Sequence, residues 1–337
     1  MLPPPLSSNT DATVELFPLL APGGGEAVVV VVKQRFRVSP AGKVARTAGA
    51  KVNVADVPWD EDAPERSSVK LASDLCLLKP ATDVLVTGSA IAPGGARVKQ
   101  LDVALRVGAI QKVVRVYGPR VWTRGVLGLA LSAPEPFESV ELRWENAWGG
   151  RDDSDPEKPL EEPRNPAGRG VARDPAKLLH QLGPAIEDPA HPLDGRSPAP
   201  AGVGPIGRHF MPRRRYAGTY DEAWKKTRMP LPPKDYDPRF EQVAPPDQIA
   251  QGYLRGGEPV AVVNASAEGP LAFELPRLAF FVGARLDGEL REHRAAMDTL
   301  VLYPAQRAFE MTWRTAIPVP RRSRRLEAVQ VHEKRVL

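Results

Sequence analysis

Six aspartates in the middle of the chain are the first residues whose types could do chemistry. They are Asp152, Asp153, Asp155, Asp235, Asp237 and Asp247. Two carboxylates held across a cleft can hydrolyse a glycosidic bond by acid–base catalysis. An aspartate beside proline or glycine also builds turns, because its side chain accepts bonds from nearby backbone N–H groups. Since Asp237 precedes Pro238 and Asp247 follows Pro246, turn building is favoured; a carbohydrate-active hydrolase or glycan-binding protein remains the alternative function.

The histidines, the cysteine and the glycine-rich strings give no pattern typical of a catalytic or cofactor site. The five histidines have no compact metal-ligand spacing, so we expect no metal and no cofactor. His209, beside Phe210, is either a general base or a packed loop histidine, and the packed role is favoured. Cys76 lies among leucines, which indicates an inert buried thiol. We therefore expect that the protein is not an enzyme.

The basic run Arg213–Arg215 lies close to Tyr216 and Tyr220, a combination that could clamp nucleic acid by stacking. The net charge is only +5, from 46 basic and 41 acidic residues spread along the chain. Nucleic-acid binders cluster their basic residues, so a rim that pairs with an acidic protein partner is favoured. A second basic run, Arg321–Arg325, is expected in a mobile C-terminal tail.

A corner is predicted where two strings rich in asparagine and glycine meet. An alternating strand ends in Asn146, Trp148, Gly149 and Gly150, and the proline-rich loop that follows ends in an Asn-Pro-x-Gly-x-Gly string that begins at Asn165. Asparagine and glycine enter positive-φ geometry at little cost, so the string indicates a built corner rather than a flexible linker. The residues predicted to form it are Asn146, Trp148, Gly149, Gly150, Asn165, Gly168 and Gly170.

Short strands separated by turns are predicted to position these residues. Alternation and β-branched residues predict strands at 28–38, 83–91, 97–107, 112–117, 126–131, 139–144, 259–264, 271–275, 279–286, 299–303 and 309–313, with a hairpin partner at 43–46. Asp174 is predicted to cap a short helix that begins at Pro175 and ends before Gly183, and Asp221 a second one from Glu222 to Thr227. The fold class is mainly β, with antiparallel sheets packed as a sandwich-like core.

Of the 37 prolines, 18 lie between Arg151 and Ala250, where they interrupt any long helix or strand. The same region carries six tyrosine, tryptophan and phenylalanine side chains of the kind that disordered segments lack. We therefore expect an ordered, loop-rich layer over the core. The predicted organisation is an N-terminal extension (1–25), an N-terminal β region (26–150), the proline-rich layer (151–250), a C-terminal β region (251–318) and a basic tail (319–337).

Bulk composition adds a prediction about location. No signal peptide is evident at the N-terminus, and the longest apolar run, Ala27 to Val32, is too short to span a membrane. One cysteine in 337 residues allows no internal disulfide and fits a reducing compartment. We expect a cytoplasmic protein that does not bind membranes.

Several strings in order along the chain resemble a bacterial family catalogued as domain of unknown function 2169. They include Ser73–Val84, Glu145–Gly150, Asn165–Gly170, Gly204–Arg208, Tyr216–Trp224, Asp237–Phe240, Ala244–Gln248, Leu254–Glu258, Met297–Leu300 and Met311–Arg314. The resemblance runs from about residue 27 to about residue 315. The charged segment Val52–Ser67 is a departure, because it matches no distinctive string of this family.

The resemblance implies a type VI secretion adaptor or chaperone that helps to load a toxic effector onto the VgrG spike, often through a PAAR tip protein. It supplies no catalytic residues. Exposed aromatic and arginine side chains set among turns suit such protein binding. The predicted partner-binding residues are Arg213, Arg214, Arg215, Tyr216, Tyr220, Trp224 and Arg239, with Trp144 and Trp148 as further anchors or core residues. A structural spike or tail component, which predicts a stable homotrimer, is a third possibility.

Overall fold

A computed structural model of the chain describes residues 4–126, 128–193, 198–319 and 326–335, and these residues are mainly β. The largest sheet, called the central sheet below, has six strands. In order across it lie Thr13–Leu20, Glu26–Val38, Ala308–Val319, Ala296–Tyr303 and Asp83–Val86, and Val44–Thr47 also pairs with Glu26–Val38. Neighbours are antiparallel except for Ala296–Tyr303 and Asp83–Val86, which run parallel.

The valine run that opens Glu26–Val38 is buried on both faces of the central sheet. Val28, Val30 and Val32 point into the main core, whereas Val29 and Val31 pack with Val52 on the opposite face. A strand covered on both sides needs apolar residues at every position, which explains why the sequence does not alternate there. The β-branched side chains also favour the extended backbone.

Two further sheets complete the frame. The second sheet is antiparallel throughout and has, in order, Ile186–Glu187, Ile110–Tyr117, Gln100–Val107, Pro259–Val263 and Leu271–Glu274. The third sheet has, in order, Leu6–Ser8, Leu326–Arg335, Leu278–Leu286 and Glu289–Arg294, with one parallel pair at Leu6–Ser8.

Side chains from all three sheets meet in one hydrophobic core. Phe309 of the central sheet stacks on Phe36 at 4.7 Å and on Phe273 of the second sheet at 4.3 Å between ring centroids. Phe280 of the third sheet meets Trp313 of the central sheet edge-on at 4.7 Å. Such aromatic pairs add to the stabilisation from buried area, so they fix how the sheets pack on one another.

The remaining described elements are short. Five pairs of strands are Trp122–Gly125 with Gly128–Leu131, Ser89–Ala90 with Val140–Glu141, Trp148–Gly149 with Arg169–Gly170, Arg151–Asp152 with Leu160–Glu161, and Val57–Pro58 with Val69–Leu71. One α-helix spans Glu222–Thr227, and 3-10 turns span Pro64–Arg66, Pro93–Gly95, Trp144–Asn146, Pro175–Leu178, Arg213–Tyr216, Pro238–Glu241, Pro246–Gln248 and Pro304–Gln306. The predicted mainly-β, antiparallel fold class is confirmed, and the helix that Asp221 caps occupies the predicted residues.

Strands also form near both chain ends. Residues 1–25, expected to be an extension, contribute Leu6–Ser8 and the eight-residue strand Thr13–Leu20. The expected tail contributes Leu326–Arg335, which pairs with two strands of the third sheet. The second basic run, Arg321–Arg325, lies outside the described residues. The predicted strand 139–144 shortens to Val140–Glu141, because the chain turns into a 3-10 turn at Trp144.

Candidate functional site

The predicted corner is built around Asn165, which is fully buried. Its Nδ2 donates to the carbonyl oxygens of Trp144 at 2.9 Å and Trp148 at 3.0 Å, and its own carbonyl accepts from the backbone N–H of Gly150 at 2.8 Å. Gly149 has a φ of 147°, and a Cβ there would lie 2.2 Å from the Asn165 carbonyl oxygen. Only glycine fits at this close approach, so these residues have a structural role.

The two halves of the corner are joined by side chains as well as by backbone. Trp148–Gly149 pairs in parallel with Arg169–Gly170, and a Cβ at Gly168 would lie 2.4 Å from the Asn165 Nδ2. The Arg169 guanidinium donates to the Asn146 Oδ1 at 2.9 Å and to the Glu145 carbonyl at 2.7 Å. Trp144, considered as a partner anchor, is instead buried, and its Nε1 donates to the Gly204 carbonyl at 3.2 Å.

Arg213 does not lie at the surface, contrary to its prediction as a partner-binding residue: only 3% of it is exposed. Its Nε donates to the Phe240 carbonyl at 2.8 Å and its Nη1 donates to the Ile206 carbonyl at 2.9 Å. Burial lowers the pKa of this guanidinium. Because the 3-10 turn Arg213–Tyr216 directs one arginine inward, Arg213 ties the loop layer together rather than facing a partner.

The neighbouring predicted residues do reach the surface. Arg214 and Arg215 are exposed, and Arg214 approaches Glu161 at 3.2 Å. The guanidinium carbons of Arg215 and Arg239 lie 4.8 and 4.3 Å from the centroid of the Tyr216 ring. Asp237 fixes Arg239 in place, accepting from its Nε at 2.9 Å, and this bond raises the pKa of Arg239. The result is an arginine–tyrosine cluster with its side chains already in position.

Tyr220 and Trp224 form a second aromatic pair on the same segment. Their ring centroids are 4.7 Å apart in an edge-on arrangement, and 55% of Tyr220 is exposed. The Trp224 Nε1 donates to the Leu231 carbonyl at 2.8 Å, and the Asp221 side chain caps the helix by accepting from the Trp224 N–H at 2.7 Å. We call residues 211–240, which carry both groups, the basic-aromatic segment.

Four of the six aspartates considered for catalysis accept bonds from backbone N–H groups in turns. Asp152 accepts from Ser154 and Arg173, Asp155 from Glu157 and Lys158, Asp235 from Thr219, and Asp237 from Arg239. Hydrogen bonds favour the charged form and lower the pKa of three of these carboxyls: side-chain bonds from Ser154 and Arg239 contribute most at Asp152 and Asp237, and the Thr219 backbone bond contributes most at Asp235. A general acid needs the opposite shift. Asp153 pairs with Arg151 and Asp247 pairs with Lys112 instead.

A buried network of charged side chains, which sequence reasoning missed, crosses the central sheet. Arg314 and Asp298 are both fully buried and form an ion pair, and Arg314 also donates to the Asp74 carbonyl at 2.8 Å. The Asp74 carboxylate meets the Lys33 ammonium at 2.8 Å. Nearby, the Lys79 ammonium meets the Asp83 carboxylate at 2.8 Å. Charged residues inside otherwise apolar strand patterns were the signal that could have indicated it.

The remaining candidates have packed roles. Burial raises the pKa of the Cys76 thiol to about 12 and lowers the pKa of His209, whose ring lies edge-on to Phe210. Among residues 4–126, 128–193, 198–319 and 326–335, no group of three or more histidine, cysteine, aspartate or glutamate side chains is placed to hold a metal ion. The helix in that part of the chain is too short and polar to cross a membrane.

Comparisons with known proteins identify the family. A family model described as an uncharacterized protein conserved in bacteria, domain of unknown function 2169, matches residues 23–314. Neither the curated proteins nor the solved structures gave a match. The match covers most of the chain, including the buried network, the corner and the basic-aromatic segment. This chain therefore belongs to the bacterial DUF2169 family.

Proposed function

We propose that this protein is a cytoplasmic adaptor or chaperone of a type VI secretion system. In this role it binds a secreted effector, a PAAR tip protein or both, and promotes loading onto the VgrG spike. The family resemblance suggests the system. The observation that carries the proposal is the basic-aromatic segment, which presents tyrosine, tryptophan and arginine side chains on a proline-rich surface. These three residue types are enriched where one protein binds another.

The charge of this segment indicates the chemistry of the partner. Residues 211–240 contain eight basic and four acidic residues, which gives a net charge of +4 in a chain whose total is +5. The segment therefore has twice as many basic as acidic residues, whereas the whole chain has 46 basic and 41 acidic residues. A partner surface rich in carboxylates would complement it, and opposite charges also accelerate association.

The segment is held in shape before any partner arrives. Arg213 bonds two backbone carbonyls beneath it, and Asp221, Asp235 and Asp237 each accept from a backbone N–H. The Arg228 guanidinium also donates to the Pro22 carbonyl at 2.7 Å, which joins the segment to the edge of the central sheet. A preformed surface loses less conformational entropy on binding, so rigid aromatic and arginine anchors can contribute more affinity.

An affinity pull-down from a native bacterial host, read by mass spectrometry, tests the proposal. The tagged protein is compared with Arg214→Glu/Arg215→Glu, which reverses two exposed charges and leaves the buried Arg213 in place. The matched control is Arg291→Glu/Arg294→Glu, which makes the same charge change at two exposed positions of the third sheet. We expect wild type and control to recover a tip, spike or effector protein, and the Arg214/Arg215 variant to recover at least about tenfold less.

Two results would overturn the proposal in different ways. Recovery of no secretion component with the wild-type protein contradicts the adaptor function itself. Equal recovery by all three proteins contradicts the assignment of the basic-aromatic segment as the binding surface. Thermal unfolding of each variant, measured beforehand, establishes that reduced recovery does not come from loss of folding.

A further inference from the structure

A pocket of about 370 Å³ lies between the second sheet and the proline-rich layer. Gln111, Lys112 and Val113 of the strand Ile110–Tyr117 form one side of it, and the turn Pro245–Asp247 forms another. Trp144 and Ile206 lie at its inner wall, where both are buried. Its volume is within the range of pockets that bind ligands.

Nine of the fourteen residues that line the pocket are apolar, and polar and apolar atoms share its surface about equally. Prolines contribute at four positions, Pro200, Pro212, Pro245 and Pro246, and Met211 adds an adaptable thioether. Val113 is 44% exposed although it lies on a strand of the second sheet. Proline fixes the backbone φ angle, so this pocket keeps its shape without a ligand.

The other five residues that line the pocket are polar, and four of them carry charges of both signs. The Lys112 ammonium lies 2.8 Å from Asp247 Oδ1, and 10% of the Lys112 side chain is exposed. The Lys112 ammonium has three N–H donors. Among the described residues, only Asp247 accepts a hydrogen bond from it. Asp188, bonded to the His191 ring at 2.9 Å, adds a second carboxylate, and Arg164 is paired with Glu162.

We infer that this pocket receives a bulky apolar side chain from an extended segment of the partner protein, with a backbone carbonyl of that segment accepting a hydrogen bond from Lys112. The inference rests on the proposed function, because the segment belongs to the protein that the adaptor binds. The two carboxylates disfavour a polyanion such as a nucleotide or nucleic acid. A peptide fits this mixed lining because its side chain can contact the apolar residues while its amide groups satisfy both signs of charge.

The test selects peptides from a displayed library of random nonapeptides on the immobilised full-length protein. Selected peptides are then synthesised, and their Kd values are measured with the wild type and three variants. Val113→Arg places a long charged side chain at the pocket, and Lys112→Met removes the ammonium while keeping the stem. Leu290→Arg is the matched control, because Leu290 is also an exposed apolar strand residue, at 58%, but lies on the third sheet.

We expect selected peptides to share a large aromatic or aliphatic residue and to bind Val113→Arg at least about tenfold more weakly than the wild type. Lys112→Met should weaken binding less, and Leu290→Arg should leave it unchanged. If Val113→Arg fails to fold, Met211→Glu replaces it. Failure to select any peptide, or equal binding to the pocket variants and the wild type, overturns the inference.

The peptide measurement and the pull-down fail independently. Peptide selection uses the purified protein alone, so its result does not depend on whether secretion components are recovered from cells. If Val113→Arg still binds a secretion component, the proposed function is unaffected, but the pocket is not part of the binding surface.

Discussion

At the scale of single residues, adjacent arginines of the same run have different roles. Arg213 is buried and bonds the Phe240 and Ile206 carbonyls, whereas Arg214 is exposed beside Glu161. We expect Arg213→Met to lower the free energy of unfolding by about 2–4 kcal/mol, because the buried Ile206 carbonyl and the partly buried Phe240 carbonyl lose their donor. Arg214→Met should change it by less than about 0.5 kcal/mol. Urea unfolding of both variants measures the difference, and equal effects would contradict these roles.

The inward direction of Arg213 was not predictable from its neighbours. Three identical side chains in a row carry no local pattern that marks one of them for burial. The choice depends on the Ile206 and Phe240 carbonyls, which come from elsewhere in the loop layer. The corner was more accessible to prediction, because the asparagines and glycines there are required by local backbone geometry. Lys112 and the pocket gave no sequence signal, since the pocket's walls come from separate segments.

At the scale of elements, aspartate side chains stabilise the loops of the basic-aromatic segment. Asp235 accepts from the Thr219 N–H at 3.0 Å and from the Thr219 Oγ1 at 2.8 Å, and these bonds lower its pKa. A carboxyl with a lowered folded-state pKa stabilises the fold above its unfolded pKa, and this stabilisation is lost as the pH falls through the folded pKa.

Asp235→Asn should therefore be less stable than the wild type at pH 7. The difference should shrink as the pH falls below about 4, the unfolded pKa of aspartate, because the wild type then loses the same charge. Urea midpoints of both proteins at pH 7 and at pH 3 measure this. A difference that is as large at pH 3 as at pH 7 would show that the charge of Asp235 contributes nothing.

Most long strands were predicted because their patterns are strong, and the exceptions have physical causes. Glu26–Val38 and Leu278–Leu286 lie within two residues of their predicted bounds, since apolar residues dominate both strands. Thr13–Leu20 was missed: it contains Pro18 and polar residues, which an edge strand of the central sheet tolerates. Ala308–Val319 extends past its predicted end because it pairs along its whole length with Glu26–Val38. Such pairing is a tertiary effect.

At the scale of the whole molecule, buried charges join distant parts of the chain. Lys33, Asp74, Asp298 and Arg314 bring together the second strand of the central sheet, the segment around Cys76 and the two C-terminal strands of that sheet. Arg314→Met leaves the fully buried Asp298 without its counter-charge, which costs about 3–5 kcal/mol.

The double variant Arg314→Met/Asp298→Leu should recover part of this loss, because apolar replacement of a whole buried ion pair is often tolerated. Chemical unfolding of the wild type, both single variants and the double variant gives the coupling free energy. Additive effects, with no recovery in the double variant, would contradict an energetic link between Arg314 and Asp298.

Five of the ten strings that carry the family resemblance fall into two classes. Ser73–Val84, Met297–Leu300 and Met311–Arg314 supply the buried charges, whereas Tyr216–Trp224 and Asp237–Phe240 lie on the basic-aromatic segment. The first class maintains the frame. The second class contains the tyrosine, tryptophan and arginine side chains on which the proposed adaptor function depends.

Effector loading onto the spike tests the central claim most directly. A tagged VgrG spike protein is purified from the native bacterium, from a strain lacking this gene, and from that strain complemented with each variant. We predict that effector recovered with the spike falls at least about tenfold without the gene and returns with the wild type and Arg291→Glu/Arg294→Glu. It should stay low with Arg214→Glu/Arg215→Glu. Unchanged effector on the spike in the strain lacking the gene would contradict the adaptor function.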